Sequence, residues 1–353
     1  MYLKPSARLA IYAQGEFGKG KSKTAEGVIR YARNPIAAVI DKSEVGNSVK
    51  SATGIECAAP IVASIEDALK HKPDALLLGT AWTGGHMPES WRSDIIMALE
   101  NGLDVVNGLH DFLADDEEIV EAANRHKKML LDVRRPPDNI PVAAGLARKV
   151  KAFTVLTVGT DCNVGKMTTS LELWKEAKNR GIKAEFVATG QTGIMIAGGS
   201  GIAIDRVIGD FMAGAAEQMV LEAAEEHDLV LVEGQGSLAH PGFSGVTLAL
   251  MHGSAPKAMI LCTKATKKWI CELTDFPLPE LKPLITMSET IVDYVNPAKV
   301  IGIAVNTVGL TDEEAKAAIE RARAETGLPC TDPVRFGAVE LVDAIVEAKE
   351  NYR

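Results

Sequence analysis

Short apolar runs alternate with longer amphipathic stretches along the first 140 residues. Apolar runs of strand length are followed by polar loops, and the stretches between them repeat their apolar positions with a helical period. The pattern predicts strands at Leu9–Ala13, Ile36–Ile40, Ala75–Gly79, Leu103–Val106 and Met129–Val133, with helices at Lys23–Ala32, Ser90–Glu100 and Glu117–His126. Strands that alternate with helices favour a parallel sheet with helices on both faces.

The same alternation starts again after a proline-rich segment, Arg134–Pro141, which cannot continue a helix or an inner strand. The second series predicts strands at Phe153–Val158, Ala184–Ala188, Leu229–Val232, Ala258–Cys262 and Val300–Val305, and helices at Lys166–Arg180, Phe211–Glu226, Glu313–Glu325 and Val339–Lys349. We therefore predict an α/β protein of two domains, each with a parallel sheet, at residues 1–140 and 150–353.

Composition narrows the classes of protein. The chain has 353 residues, of which 46% are hydrophobic, and a formal net charge of −9. A net acidic chain is a poor candidate for binding nucleic acid or an anionic membrane. No apolar run approaches the roughly 18 residues of a membrane span, and no signal peptide is visible. Five cysteines without metal-type spacing predict a reduced, cytoplasmic protein without a structural zinc.

The sharpest motif is the segment 159–168, which follows an apolar strand and opens a helix. This is the context of a phosphate-binding loop, in which backbone N–H groups and the helix N-terminus surround the phosphates and a lysine adds a cation. The motif resembles the variant loop of dethiobiotin synthetase. The candidate ligand-binding residues are Gly159, Thr160, Asp161, Asn163, Val164, Gly165, Lys166, Met167 and Thr168. Met167 replaces the hydroxyl that usually holds magnesium, so we predict no metal here.

Other features of the second half fit the same kind of domain. Glu233 ends an apolar strand before Gly234 and resembles the acidic second motif of that superfamily, with a solvent-facing strand end as the alternative. Asn306 ends another strand and is a candidate adenine contact, or a residue that only shapes the turn. His240 follows the Glu233 strand and is a candidate base. Cys162 lies near a helix N-terminus, which should lower its pKa.

The loop 15–22 matches the common phosphate-loop pattern to the letter, yet three lysines are closely spaced here: Lys19 and Lys21 in the loop and Lys23 directly after it. Nucleotide binding, binding of another anion, and no ligand at all stay open for it. We expect the following helix to begin at Ser22 or Lys23. Asp41 ends the second strand, where a Rossmann fold places an acid near a ribose, but the glycine spacing of a dinucleotide loop is missing.

Further polar residues follow strands in the first half, where ligands of parallel sheets bind. These are Gly84, Gly85 and His86, then His110 beside Asp111, then Arg134 and Arg135. Each has a simpler structural alternative, such as a flexible turn, a helix cap or a solvated charge. A polar segment with many glycines and hydroxyls, from Gly190 to Asp210, predicts a loop that covers a ligand and carries Asp205 and Arg206.

The order of these segments resembles, over nearly the full chain, a bacterial and archaeal family long labelled as of unknown function. The specific combination is GTDCNVGKMTT with GLHDFL, at residues 159–169 and 108–113. Members join a Rossmann-like N-terminal half to a dethiobiotin synthetase-like C-terminal half. The family's assigned activity is D-glutamate N-acetyltransferase with acetyl-coenzyme A as the donor. Met167 matches the family.

The resemblance implies transfer of an acetyl group to the amine of a small amino acid, with D-glutamate as the expected acceptor. We also expect the protein to be a homo-oligomer. The alternatives are an ATP-dependent ligase or kinase, which Met167 disfavours, and a nucleotide-sensing binding protein. Transfer needs a base for the ammonium and donors for an oxyanion. The base candidates are His240, His110 and Glu233, with His240 preferred. Gly84–Gly85 or Gly234–Gly236 would hold the oxyanion, and Lys23, Arg134 or Arg135 the substrate carboxylates.

Overall fold

The computed structural model describes residues 3–81, 86–271 and 273–352. In these ranges the strands β1 to β14 are Leu9–Tyr12, Ile36–Ile40, Ile61–Val62, Ala75–Leu78, Asp104–Asn107, Leu130–Asp132, Phe153–Gly159, Ala184–Val187, Leu229–Val232, Ala258–Lys264, Trp269–Ile270, Leu273–Pro277, Lys299–Asn306 and Cys330–Thr331. The helices α1 to α12 are Lys23–Tyr31, Val49–Thr53, Ile65–Leu69, Arg92–Glu100, Glu117–His126, Lys166–Asn179, Gln191–Ile196, Gly209–Ala224, Ser244–Ser254, Leu281–Asp293, Asp312–Thr326 and Val339–Asn351. Short 3-10 turns cover Lys42–Glu44, Glu89–Trp91, Leu113–Asp115, Ala147–Lys149 and Ile204–Arg206.

The chain folds into two compact units. The first contains Met1–Pro136 together with Gly190–Arg206, and the second contains Pro137–Thr189 and Val207–Arg353. The boundary at Pro136 lies in the proline-rich segment. The predicted domains did not separate residues 190–206 from their neighbours along the chain, because a sequence pattern shows where a segment lies along the chain and not which core it packs on.

The first unit is built on one six-stranded sheet with the order β3-β2-β1-β4-β5-β6. All of its pairings are parallel, and this is the strand order of the Rossmann fold. Strands β1 and β4 are buried along their whole length, which is why they read as continuous apolar runs rather than alternating ones. The predicted Rossmann-like parallel sheet is confirmed. The order reverses between β1 and β4, so the loops after these strands border the crevice where such sheets bind ligands.

The second unit has a parallel sheet with the order β14-β13-β10-β7-β9-β8. From the central β7 the chain runs to the edge strand β8, returns to β9, and then crosses to β10 on the other side. The order therefore reverses beside β7, and the loop 160–165 leaves the sheet at that point. A phosphate loop after a central strand is the expected position for this class of fold.

Residues 190–206 contain more regular structure than the predicted polar loop. Gln191–Ile196 forms α7, and its apolar residues Ile194, Met195 and Ile196 are buried. The Thr192 hydroxyl lies 2.7 Å from the Thr24 hydroxyl at the start of α1. Gly108 packs closely against α7, since a Cβ on Gly108 would lie 2.9 Å from the Met195 Cε atom. The prediction of a loop without packing was therefore wrong at α7, because three consecutive apolar residues pack this helix on the first unit.

Two glycines in α9 provide a matched test of helix packing. A Cβ on Gly253 would lie 2.1 Å from the Ala213 carbonyl oxygen of α8, whereas a Cβ on Gly245 would meet nothing within 4 Å. We expect Gly253→Ala to lower the free energy of unfolding by about 1–3 kcal/mol, because α8 and α9 must move apart. Gly245→Ala should raise it, by up to about 1 kcal/mol, because alanine is the better helix former. Urea unfolding checks this, and equal midpoints for the two variants would contradict the close approach of the helices.

Among the described residues, no helix combines the length and the apolar character that crossing a membrane would require.

Candidate functional site

The loop between β7 and α6 has the backbone of an anion-binding loop. Asn163 and Gly165 both have left-handed backbones, with φ of 56° and 107°. Gly165 is the N-cap of the 14-residue helix α6, and no side chain caps this end. The first turn of a helix has four N–H groups without intrahelical partners, and their dipoles favour an anion. This end of α6 can therefore bind a phosphate.

Lys166 is the first residue of α6 and is buried, with 6% of its surface exposed. Its Nζ atom donates a hydrogen bond to the Asp161 carbonyl oxygen at 2.7 Å. Its alkyl chain runs past two glycines, since a Cβ on Gly159 or Gly234 would lie 3.2 Å from its Cδ atom. These glycines leave room for the lysine, whose ammonium group thereby stays at the phosphate loop.

Asp161 organises the loop through a buried carboxylate. Its two oxygens accept hydrogen bonds from the backbone N–H groups of Cys162 and Cys271, each at 2.6 Å. Lys267 lies 2.5 Å from the same carboxylate and also donates to the Cys162 carbonyl oxygen. Asp161 thus connects the loop to the β11–β12 hairpin. Sequence reasoning missed Lys267, and no spacing rule could find it, because the hairpin lies more than a hundred residues further along the chain.

The other residues predicted for this loop have different positions. Val164 is buried in the core, and the Thr160 hydroxyl donates to the Thr263 hydroxyl at 3.2 Å. Met167 and Thr168 are half-buried at the start of α6. Their expected role in binding a phosphate-bearing ligand stays a prediction.

His240 lies in the second unit with its ring packed on Phe243, at a centroid distance of 4.6 Å. Only 5% of its surface is exposed. The Gly242 N–H donates to its Nδ1 atom at 3.1 Å, while its buried Nε2 atom has no hydrogen-bond partner among the described residues. In the neutral ring, an accepting Nδ1 places the proton on Nε2. In this geometry the Nε2 atom of His240 can donate a hydrogen bond.

The fold brings His240 to the phosphate loop. Ligand atoms of Asp161, Cys162 and His240 all lie within 4.8 Å of one another. Three such atoms could hold a metal ion, although the Asp161 carboxylate already accepts two backbone N–H groups and pairs with Lys267. Burial raises the pKa of the Cys162 thiol, so the expected lowering was wrong, because desolvation outweighs the opposing charges of Lys166 and Lys267.

Glu233 and Asn306 lie at the carboxyl ends of their strands, as expected for ligand-facing residues, but both have local partners. The Glu233 carboxylate accepts the Thr189 N–H at 2.9 Å and so ties the end of β9 to the end of β8. The Asn306 Oδ1 atom accepts the Val308 N–H at 3.0 Å, and its amide nitrogen would lie 3.5 Å from a Cβ on Gly165. Gly234 donates its N–H to the Thr157 hydroxyl at 2.9 Å, which removes it from the candidates for an oxyanion hole.

A second group of polar residues lies in the first unit, at the carboxyl ends of β5 and β6. His110 is half-buried, and burial together with the Arg134 charge lowers its pKa below the usual 6.5. Its electrostatic neighbours include Asp205 and Arg206, which the segment 190–206 supplies. A neutral imidazole near charged groups is the form that accepts a proton.

The two arginines predicted to hold substrate differ in their surroundings. Arg134 is buried, donates from Nε to the Gly108 carbonyl oxygen at 2.7 Å, and pairs through Nη1 with Asp205. Arg135 is exposed, pairs with Asp115, and lies over the Phe112 ring at 4.4 Å. Arg134 therefore supports the loop structure, whereas Arg135 is accessible to a ligand.

The Walker-like loop 15–22 is occupied by its own side chains. Ser22 is fully buried, and its hydroxyl accepts the Gly18 N–H and donates to Glu26. Phe17 is buried inside the loop, and its N–H donates to the Asp41 carboxylate at 2.9 Å. Helix α1 begins at Lys23, as predicted, and the Lys23 side chain is exposed. Asp41 also accepts the Ser43 N–H and hydroxyl, so this acid stabilises the loop itself.

His86 makes an exposed contact with Asp111, at 2.9 Å between Nδ1 and Oδ1. Gly84 and Gly85, proposed from the sequence to bind an oxyanion, lie outside the described residues.

The fold and these two groups of residues define a P-loop-type unit, in which the N-terminus of α6 has no side-chain cap, and a Rossmann-like unit. Two family descriptions match the chain: a Rossmann-like domain of unknown function (DUF1611_N) at residues 42–136, and a P-loop domain of unknown function (DUF1611_C) at residues 141–342. The chain belongs to this DUF1611 family.

Two relatives with a named activity match most of this chain. Proteins from Tritonibacter scottomollicae and a Pseudoalteromonas species, both named D-glutamate N-acetyltransferase, are each 42% identical to this chain and cover 80% of it and 84% and 83% of their own lengths. The crystal structure of a DUF1611 family protein from Anabaena variabilis is 43% identical, with a TM-score of 0.93 over 97% of this chain and all of that chain. The protein is an enzyme of the N-acetyltransferase class, which confirms the activity class that the sequence resemblance implied.

Proposed function

We propose that this enzyme transfers the acetyl group of acetyl-coenzyme A to the amine of D-glutamate. The second unit would bind the donor, and the first unit the amino acid. One observation carries the donor assignment: Lys166 and the uncapped N-terminus of α6 remain at the phosphate loop, while Met167 replaces the magnesium-binding hydroxyl. Such a loop can bind the diphosphate of coenzyme A without the metal that ATP chemistry requires. The names of the relatives support D-glutamate as the acceptor.

The proposed base is His110. The ammonium group of the substrate gives one proton to the neutral imidazole, and the free amine then attacks the thioester carbonyl carbon. A C–N bond forms, and the C–S bond of the tetrahedral intermediate then breaks while its second amine proton passes to the departing thiolate, which leaves as the thiol. His110 releases the first proton to solvent. The overall reaction converts ammonium and thioester into amide, free thiol and one proton. Burial and Arg134 lower the pKa of His110 and so favour the neutral imidazole that this step needs.

We propose a different role for His240. Its Nδ1 atom is engaged by Gly242, so Nε2 would donate a hydrogen bond to the bound donor. This role differs from the base that the sequence favoured, and Glu233 is the less suitable third candidate because its carboxylate accepts the Thr189 N–H.

The test measures release of free thiol from acetyl-coenzyme A with D-glutamate, in the presence and absence of ATP and magnesium. We expect thiol release that needs D-glutamate and does not need ATP. Thiol or ADP formation only with ATP would favour a ligase like dethiobiotin synthetase and overturn the proposal. L-Glutamate serves as the matched control for the chirality of the acceptor.

A further inference from the structure

Two guanidinium groups of the first unit share one aromatic ring. The Cζ atoms of Arg135 and Arg206 lie 4.4 and 4.8 Å from the centroid of the Phe112 ring. A guanidinium over a ring is held by cation–π attraction, while its N–H groups at the edge can still bind a planar anion bidentately. Both side chains are exposed, so a small molecule can reach them.

Arg206 differs from its neighbours in its charge partners. Arg134 pairs with Asp205 and Arg135 with Asp115, whereas Arg206 has no ion pair within the described residues. Two cations on one ring repel each other, and Asp115 balances only one of them. An anionic ligand would remove this imbalance.

Asp205 has the complementary feature. Its Oδ2 atom pairs with Arg134, but its Oδ1 atom is buried and has no hydrogen-bond partner in the described ranges. A buried acceptor without a donor is costly, and an ionised one more so. The Asp205 side chain as a whole is 28% exposed, so a ligand with an ammonium group can reach its carboxylate, and the bond would be charge-assisted.

These residues reach one place because the segment 190–206 is anchored to the first unit. Thr192 contacts Thr24, the Leu3 N–H donates to the Gly198 carbonyl oxygen, and Ile204 is fully buried. The 3-10 turn Ile204–Arg206 then places Asp205 and Arg206 next to the loops that carry Phe112 and Arg134. The buried Ile204 fixes the turn, so the two charged residues on it have defined positions.

We propose that this cluster is the receptor for an amino dicarboxylate: Arg206 binds its side-chain carboxylate and Arg135 its α-carboxylate over Phe112, and the Asp205 carboxylate receives its ammonium group beside His110. The proposal rests on the proposed function and identifies the residues that choose the acceptor. It places the amine next to the base, and it makes the second carboxylate the feature that is recognised.

The first test compares acceptors of equal size. Acetyl transfer to D-glutamate and to its neutral amide, D-glutamine, is measured with the wild type and with Arg206→Gln. We expect Arg206→Gln to raise the KM for D-glutamate by roughly 10- to 100-fold, because a charge-assisted bond is lost. The KM values for D-glutamine and acetyl-coenzyme A should stay within about twofold, since neither ligand uses this charge. Phe112→Leu should act in the same direction, because it removes the ring.

The second test measures binding without the donor. Calorimetric titration of the full chain with D-glutamate and with glutarate, which lacks the amine, should show tighter binding of D-glutamate. Asp205→Asn should abolish that preference. Arg206→Gln changes an exposed side chain, so its result stays interpretable if the Asp205 variant does not fold.

The outcomes separate this inference from the proposed function. If Arg206→Gln leaves acetylation of D-glutamate unchanged, the receptor assignment is wrong and the proposed function stands. If binding of D-glutamate depends on Arg206 but no acetyl transfer occurs, the receptor assignment stands and the proposed function is wrong. If inorganic phosphate binds more tightly than D-glutamate, and Arg206→Gln weakens that binding, the cluster is a phosphate site and the inference is wrong.

Discussion

His110→Gln should lower kcat for acetylation of D-glutamate by roughly 10²–10⁴-fold, the usual contribution of a positioned general base. Glutamine keeps the polar character of the half-buried position but cannot take up a proton. The KM for acetyl-coenzyme A should stay close to that of the wild type, because His110 belongs to the first unit and the phosphate loop to the second.

The pH dependence of kcat/KM tests this prediction more strictly. A base works only when neutral, so activity should rise with pH through the pKa of His110 and then level off. Because burial and Arg134 lower that pKa, the acid limb in wild-type kcat/KM should lie below pH 6.5. His110→Gln should lose this limb, whereas His126→Gln, at the end of α5, should keep both the limb and the rate.

Substitution of His240 should affect the kinetics differently from substitution of His110. If it acts as a donor to bound acetyl-coenzyme A, His240→Ala should raise the KM for the donor and leave the acid limb in place. A limb that disappears in His240→Ala and persists in His110→Gln would show that His240 is the base, as the sequence favoured, and would refute the assignment of His110.

Lys166→Met should raise the KM for acetyl-coenzyme A by roughly 10- to 150-fold, which corresponds to about 1.5–3 kcal/mol for a charge-assisted hydrogen bond. Methionine keeps the alkyl chain that runs past Gly159 and Gly234 and removes only the ammonium group. The KM for D-glutamate should change much less, because the acceptor is assigned to the first unit.

The Walker-like loop 15–22 provides the matched control for this substitution. Lys21→Met removes the corresponding lysine of a sequence that fits the phosphate-loop pattern equally well. Its side chain is exposed and pairs only loosely with Glu16, at 3.9 Å. We expect the KM for acetyl-coenzyme A to change by no more than about twofold. Equal effects of Lys21→Met and Lys166→Met on donor binding would mean that the N-terminal loop also binds phosphate, against the structural evidence.

The two phosphate-loop patterns show what residue spacing alone cannot decide. Both follow a strand and precede a helix, and residues 15–22 match the common pattern more closely than residues 159–168. Neither following helix has a side-chain cap, but the loops differ in their interiors. Phe17 and Ser22 are buried in the first loop, whereas Lys166 is buried at the second loop and donates to the Asp161 carbonyl oxygen. A pattern records spacing, and the contacts that occupy a loop come from residues elsewhere, such as Asp41 and Lys267.

The sequence by itself determined the fold class, the two parallel sheets and the position of the phosphate loop, because buried parallel strands and phosphate loops have short-range signatures. It also placed candidate residues at strand ends. The tertiary structure alone decided that Gly190–Arg206 joins the first unit, that Lys267 pairs with Asp161, and which nitrogen of His240 accepts a hydrogen bond. Each of these depends on packing or hydrogen bonds between segments distant along the chain or on backbone geometry, which residue spacing does not record.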